Sequence, residues 1–155
     1  MQRELRALRR ELDAYPDDAS LWATPPGITN SAGNLILHLA GNLQHFMGAR
    51  LGGARYVRDR ETEFATRGAS RDALRREIEA AAAAVDAAFA RLDDRALDSD
   101  YPEVIKGMTV KTVDWLTHLA VHLGYHLGQI DYHRRLVLGD TTTVDTVSIS
   151  ELARA

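Results

Sequence analysis

Four of the chain's six histidines fall within one thirty-residue stretch, TVKTVDWLTHLAVHLGYHLGQIDYHRRLVL, at positions 118, 122, 126 and 133. Imidazole is the side chain best suited to hold a divalent transition metal near neutral pH. His122 and His126 are four residues apart and share one face of a helix, one above the other. His133 returns to nearly that face two turns further on, too far along the axis for the same ion. His118 is one turn before His122, and each such step drifts about 40° around the axis. Two of these four imidazoles can share an ion; all four cannot. The alternative reading of the pair is a solvated stripe, or histidines satisfied by hydrogen bonds in the core.

A third imidazole is available from an earlier segment. In SAGNLILHLAGNLQHFMGARL, residues 31–51, Leu35, His38, Asn42, His45 and Ala49 follow one line, with Leu39 and Phe46 beside it. A histidine on such a core-facing line needs a hydrogen-bond partner or a ligand, because an unpaired buried polar group costs free energy. Asn34 and Asn42 lie a turn to either side and are placed to orient its ring. His38, His122 and His126 together make a three-imidazole set, which leaves a metal open positions for water or substrate, as catalytic sites do. Leu123 stands where a metalloprotease would place its catalytic glutamate, so peptidase chemistry is disfavoured. His45 and His118 read as rim residues, proton shuttles, substitute ligands or simple polar neighbours.

Four helices position these residues. The first covers residues 2–15, with Leu5, Leu8, Leu12 and Tyr15 as its apolar stripe. Residues 16–30 hold three of the four prolines and read as a loop, with Trp22 plugging one end of the core. The second helix is the His38 segment. Residues 52–69 are dense in charge and read as a long, partly ordered connection anchored by Tyr56 and Phe64. A third helix runs over 70–92 on Leu74, Ile78, Ala81, Val85, Phe89 and Leu92, its alanine run favouring helix intrinsically. Residues 93–108 connect it to the fourth helix, for which Thr109 is the expected N-cap and Gly139 the expected stop. Gly124 and Gly128 are read as close-packing positions against a neighbouring helix, or as room for a substrate. The expected fold is all-α: one domain over 1–155, an antiparallel four-helix bundle with a core at 2–138, long inter-helix connections, and a tail at 139–155 whose placement is open.

Composition sets outer bounds. At 155 residues, with 45% hydrophobic and 26% charged side chains, the chain can bury a sizeable core. A net charge of -3 with mixed signs lacks the basic stripe of a nucleic-acid binder. With no cysteine there is no disulfide, thiolate ligand or cysteine nucleophile. Neither a membrane span nor a secretory or transit signal is apparent, so the expected compartment is the cytoplasm and no membrane partner is expected.

Three segments carry a resemblance to a known family: GITNSAGNLILHLAGNLQHF, RDRETEF and LAVHLGYHLGQI. Together, over roughly residues 20–138, they resemble the DinB-like (YfiT-like) superfamily of small metal-binding four-helix bundles. HxxxHxGQI is fairly specific when a histidine helix lies upstream. The resemblance implies a homodimer and one divalent ion, commonly nickel or zinc, held by His38, His122 and His126, with Gln129 near the site. Leu127 stands where members often have arginine, so no function that needs a cation there is implied. It further implies a metal-dependent transferase that uses a low-molecular-weight thiol against an electrophilic small-molecule substrate. The alternatives are a metal-hydroxide hydrolase, with His45, His118 or Asp131 as base, and a non-catalytic metal-binding dimeric scaffold.

Overall fold

The computed structural model describes residues 1–154. It is all-α, with no strand among the described residues beyond two isolated bridges. The longest helices are α1 (Gln2–Ala14), α3 (Ala32–Leu43), α5 (Arg71–Phe89) and α7 (Thr112–Leu138). Short helices α2 (Asp18–Leu21), α4 (Arg60–Ala65) and α6 (Asp94–Asp98) lie in the connections. Apolar residues of the four long helices form one core, from Leu5, Leu8 and Leu12 through Ile36 and Leu39 to Ile78, Val85, Leu119, Leu123 and Ile130. No helix among the described residues is long and apolar enough to cross a membrane.

The side-chain contacts fix the sense of each helix. Gln2 donates to the Ala82 carbonyl while Arg75 reaches Asp13, so α1 and α5 are antiparallel. His38 lies against His122 and His126 while Phe46 packs on Trp115, so α3 and α7 are antiparallel too. Gln44 donates to Glu77, and further along Gly48 meets Ala84 and Gly52 meets Ala88, which makes α3 and α5 parallel. Two helices therefore run each way. A parallel step cannot be made by a tight turn, and this is the physical reason for the long crossover between α3 and α5.

Local chemistry explains the boundaries. The Ser31 and Ser70 hydroxyls cap α3 and α5, each accepting from the backbone N–H three residues on. The α3 helix continues as a π-helical segment, Gln44–Ala49, that carries His45 and Phe46. Gly139 ends α7 in the left-handed conformation, φ 62°. The start of α7 differs from expectation: its N-cap is Lys111, not Thr109. Residues 100–111 form a folded-back loop in which Asp100 bridges Lys111 and the Tyr101 N–H donates to the Val110 carbonyl, so Thr109 is outside the helix. Trp22 does plug the core: its ring lies against Gly33, where a Cβ would come within 2.7 Å of it, and its Nε1 donates to the Ala69 carbonyl.

The tail is stapled to the bundle by arginines. Arg134, only 1% exposed at its side chain, donates to Glu11, which is fully buried, and also to Asp131 and the Thr142 carbonyl. Arg10 donates to the carbonyls of Val144 and Asp145, and Arg6 pairs with Glu151. Burial pushes the Glu11 carboxyl up from its ordinary value, and the Arg134 hydrogen bond opposes that rise. Gly124 and Gly128 are not close-packing positions: both are exposed, and a Cβ at either would meet nothing within 4 Å.

Removing one partner of a buried ion pair leaves the other uncompensated, so Arg134→Met should lower the unfolding free energy by about 3–5 kcal/mol. The Arg134→Met/Glu11→Leu double variant should recover most of it, as read by urea unfolding. His133 supplies a pH test. It is buried, donates from Nε2 to the Ala23 carbonyl at 2.9 Å and has the Tyr15 hydroxyl 2.7 Å from Nδ1. Burial pushes its pKa below the ordinary value, an effect that the Ala23 hydrogen bond only partly offsets. A depressed folded pKa means that the unfolded chain takes up the proton first as pH falls. Stability should be full above about pH 6.5 and decline below it. The decline should be smaller in His133→Gln.

Candidate metal centre

His38 enters the site from the core face of α3, and His122 and His126 enter from successive turns of α7. The antiparallel packing of these two helices brings all three rings together. Their centroids lie 5.1 Å apart for His38 and His122, 5.2 Å for His38 and His126, and 4.5 Å for His122 and His126. One nitrogen from each residue lies within 4.8 Å of the others. Three nitrogens tetrahedrally disposed about 2.0–2.1 Å from an ion would sit about 3.3 Å apart. The Nε2 atoms of His38 and His122 are 3.2 Å apart.

The hydrogen bonds behind the rings decide which nitrogen faces the centre. The Nδ1 of His38 is 3.0 Å from Glu63 Oε2. A carboxylate only accepts, so Nδ1 carries the proton and Nε2 presents its lone pair. His126 repeats the pattern, with Nδ1 donating to Gln129 Oε1 at 2.7 Å. His122 Nδ1 is buried without a hydrogen-bond partner among the described residues. Backing of this kind is what orients metal-ligating histidines elsewhere. The donor set therefore fits a divalent ion that accepts imidazole.

Electrostatics keep the lone pairs available. Burial, then the neighbouring His126, His38 and His118 and the Arg58 charge, push His122 down to about 4. His126 is lowered chiefly by burial, despite the opposing hydrogen bond to Gln129. Both are neutral at pH 7. For Glu63, burial alone would raise the carboxyl, but hydrogen bonds from Arg58 and His38 outweigh it and hold the pKa below the ordinary value.

The structure thus brings together the three histidines expected from spacing and leaves the others apart. His45 Nε2 faces Glu103 at 3.0 Å, His118 stacks on Trp115 at 4.7 Å, and His133 is tied to Tyr15 and Ala23. The expected roles of Asn34 and Asn42 are not observed. The Asn34 amide donates to the carbonyls of Glu63, Phe64 and Thr66, anchoring the crossover rather than the ring, and Asn42 Oδ1 has no partner among the described residues. The residue that does contact the His38 ring is Glu63, which lies in the charge-dense connection 52–69. Its signal was Gly41, less than one turn from His38, where a Cβ would collide with the Glu63 carboxylate.

The DinB superfamily model matches residues 1–130. The chain belongs to the DinB superfamily. No curated protein and no solved structure matches it. The family match covers α3, the crossover and the part of α7 that holds His122 and His126, so the whole three-histidine group lies inside it.

Elemental analysis should find about one divalent metal per chain in the wild type and almost none in His122→Ala after the same purification. His45→Ala should retain the metal, because its ring is turned to Glu103.

Proposed function

We propose that this DinB-superfamily chain is a metal-dependent transferase that joins a low-molecular-weight thiol to an electrophilic small molecule. The observation that supports it best is the donor set. Three imidazoles come together, two of them with the far nitrogen committed to Glu63 and Gln129. Held by His38, His122 and His126, a divalent ion such as zinc or nickel would supply a Lewis acid that lowers the pKa of a thiol. The chain has no cysteine, so the sulfur must come from a second substrate. The transfer balances simply: the thiol gives its proton to solvent, the sulfur–carbon bond forms, and the leaving group departs with the electron pair of the bond that breaks.

The residues of the chain supply positioning. Glu63 and Gln129 fix the rings. A cavity of about 450 Å³ lies on the far side of Gln129 from His126, lined by Ile28, Thr29, Asn30, Leu35, Gln129 and Leu136 among others and by none of the three histidines of the centre. Its link to the centre is Gln129, which contacts His126 on one side and the cavity on the other. A cavity of this size and mixed lining suits a small, largely apolar substrate. The bases that hydrolysis would call on are mostly committed elsewhere: Asp131 pairs with Arg134 and Arg135, and His45 with Glu103. This favours thiol transfer over the hydrolase alternative.

Titrating the cobalt-substituted protein with 2-mercaptoethanol should produce a near-ultraviolet sulfur-to-cobalt charge-transfer band. The protein should then accelerate loss of a chlorodinitrobenzene only when thiol is present. Turnover of nitrophenyl acetate without thiol would favour hydrolysis instead, and neither band nor turnover would leave a metal-binding scaffold.

A further inference from the structure

The crossover between α3 and α5 does more than span a distance. It delivers two charged side chains, Arg58 and Glu63, to the back of His38, and both are largely buried: 12% and 7% of their side chains are exposed. Arg58 Nε donates to Glu63 Oε1 at 2.7 Å and its Nη2 to Oε2 at 2.8 Å, the two-pronged geometry of the strongest arginine–carboxylate pairs. The Oε2 atom also accepts from His38 Nδ1 at 3.0 Å. Arg58 Nη2 is itself only 3.1 Å from that nitrogen, and its guanidinium lies over the Phe46 ring. Three independent features hold the arrangement. Asp59 caps α4, Asn34 binds the carbonyls of residues 63, 64 and 66, and the missing side chain of Gly41 leaves room for the carboxylate.

An anionic oxygen this close to a cluster of imidazoles could itself become a metal ligand. Here both oxygens are occupied by Arg58 and His38. The carboxylate can therefore orient the histidine without joining the coordination set, and its charge is cancelled by the guanidinium. The three imidazoles are neutral donors, so the protein brings no net charge to the centre. A divalent ion there keeps its full positive charge, and its open positions favour an anion over a neutral ligand.

We propose that Glu63 is the positioning residue of His38, and that Arg58 keeps the carboxylate off the ion and cancels its charge, making the centre selective for small anionic ligands such as a thiolate. This inference rests on the three-histidine reading, and it adds the class of ligand that the centre prefers. The competing explanation is a staple that merely fastens the crossover to the bundle.

Three measurements on full-length wild type, Glu63→Gln, Arg58→Gln and Arg58→Lys separate these. They are zinc affinity by competition with a chromogenic chelator, azide and 2-mercaptoethanol affinity of the cobalt form, and thermal melting of the metal-free protein. Loss of the orienting carboxylate should weaken zinc binding by about 10–100-fold. Arg58→Gln should hold zinc at least as tightly as wild type yet bind azide and thiol about tenfold or more weakly, because an uncompensated carboxylate then lies beside the ion. Arg58→Lys, which restores the charge without the fork, should recover part of the anion affinity. If the variants lower only the melting temperature and leave zinc and anion affinities at wild-type values, the pair is a staple and the proposal is overturned. Equal anion binding by Arg58→Gln and wild type overturns the charge role even if Glu63→Gln does not fold. Failure of the wild type to bind zinc would overturn the three-histidine reading itself, a result visible before any variant is compared.

Discussion

The hydrogen bond from His38 to Glu63 is the interaction on which the rest of the site depends. His38 is the one member of the three-histidine group that does not lie on α7, so its ring must be aimed across the bundle at two residues placed by another helix. A buried imidazole without a partner would cost free energy and would be free to present either nitrogen. The carboxylate removes both difficulties, but only because Arg58 makes a buried negative charge tolerable. The chain of dependence then runs outward. The ion pair needs the crossover to be seated, the crossover needs Asn34 and the cap at Asp59, and the carboxylate needs the space left by Gly41.

That dependence gives the helix directions a functional meaning. Antiparallel packing of α3 on α7 sets His38 opposite His122 and His126. Parallel packing of α3 and α5 forces a long connection, and the connection runs past the open back of His38 instead of closing in a short turn. A second buried network, Glu11 with Arg134 and Asp131, does comparable work for the tail, which follows α1 through Arg6 and Arg10. In both places a charged group is accepted in the interior because every one of its strong hydrogen bonds is met.

Much of the fold and part of the site were legible in the residues. The four long helices announce themselves by apolar spacing, and their ends follow the capping serines and Gly139. His122 and His126 are visible because four residues is one helical turn, and His38 because a polar ring interrupts an apolar line. Glu63 and Arg58 were not legible on the same grounds. They sit in a segment with no period, crowded with similar charges, and only tertiary packing distinguishes a buried glutamate from Glu61 two residues earlier. The same limit applies to Gly124 and Gly128, whose spacing suggested a close helix contact but whose face of α7 is turned outward. Thr109 misled because a capping residue was present where the chain was already held in a folded-back loop.

X-ray absorption on the zinc- or nickel-loaded protein tests the central claim most directly, because it counts the ligands and identifies their type. The account predicts three imidazole nitrogens at about 2.0–2.1 Å for zinc, with the remaining first-shell scattering from light solvent or buffer atoms, and replacement of part of that remainder by sulfur on adding 2-mercaptoethanol. Fewer than three imidazoles, or a shell that already contains the Glu63 carboxylate and does not change with thiol, would contradict it.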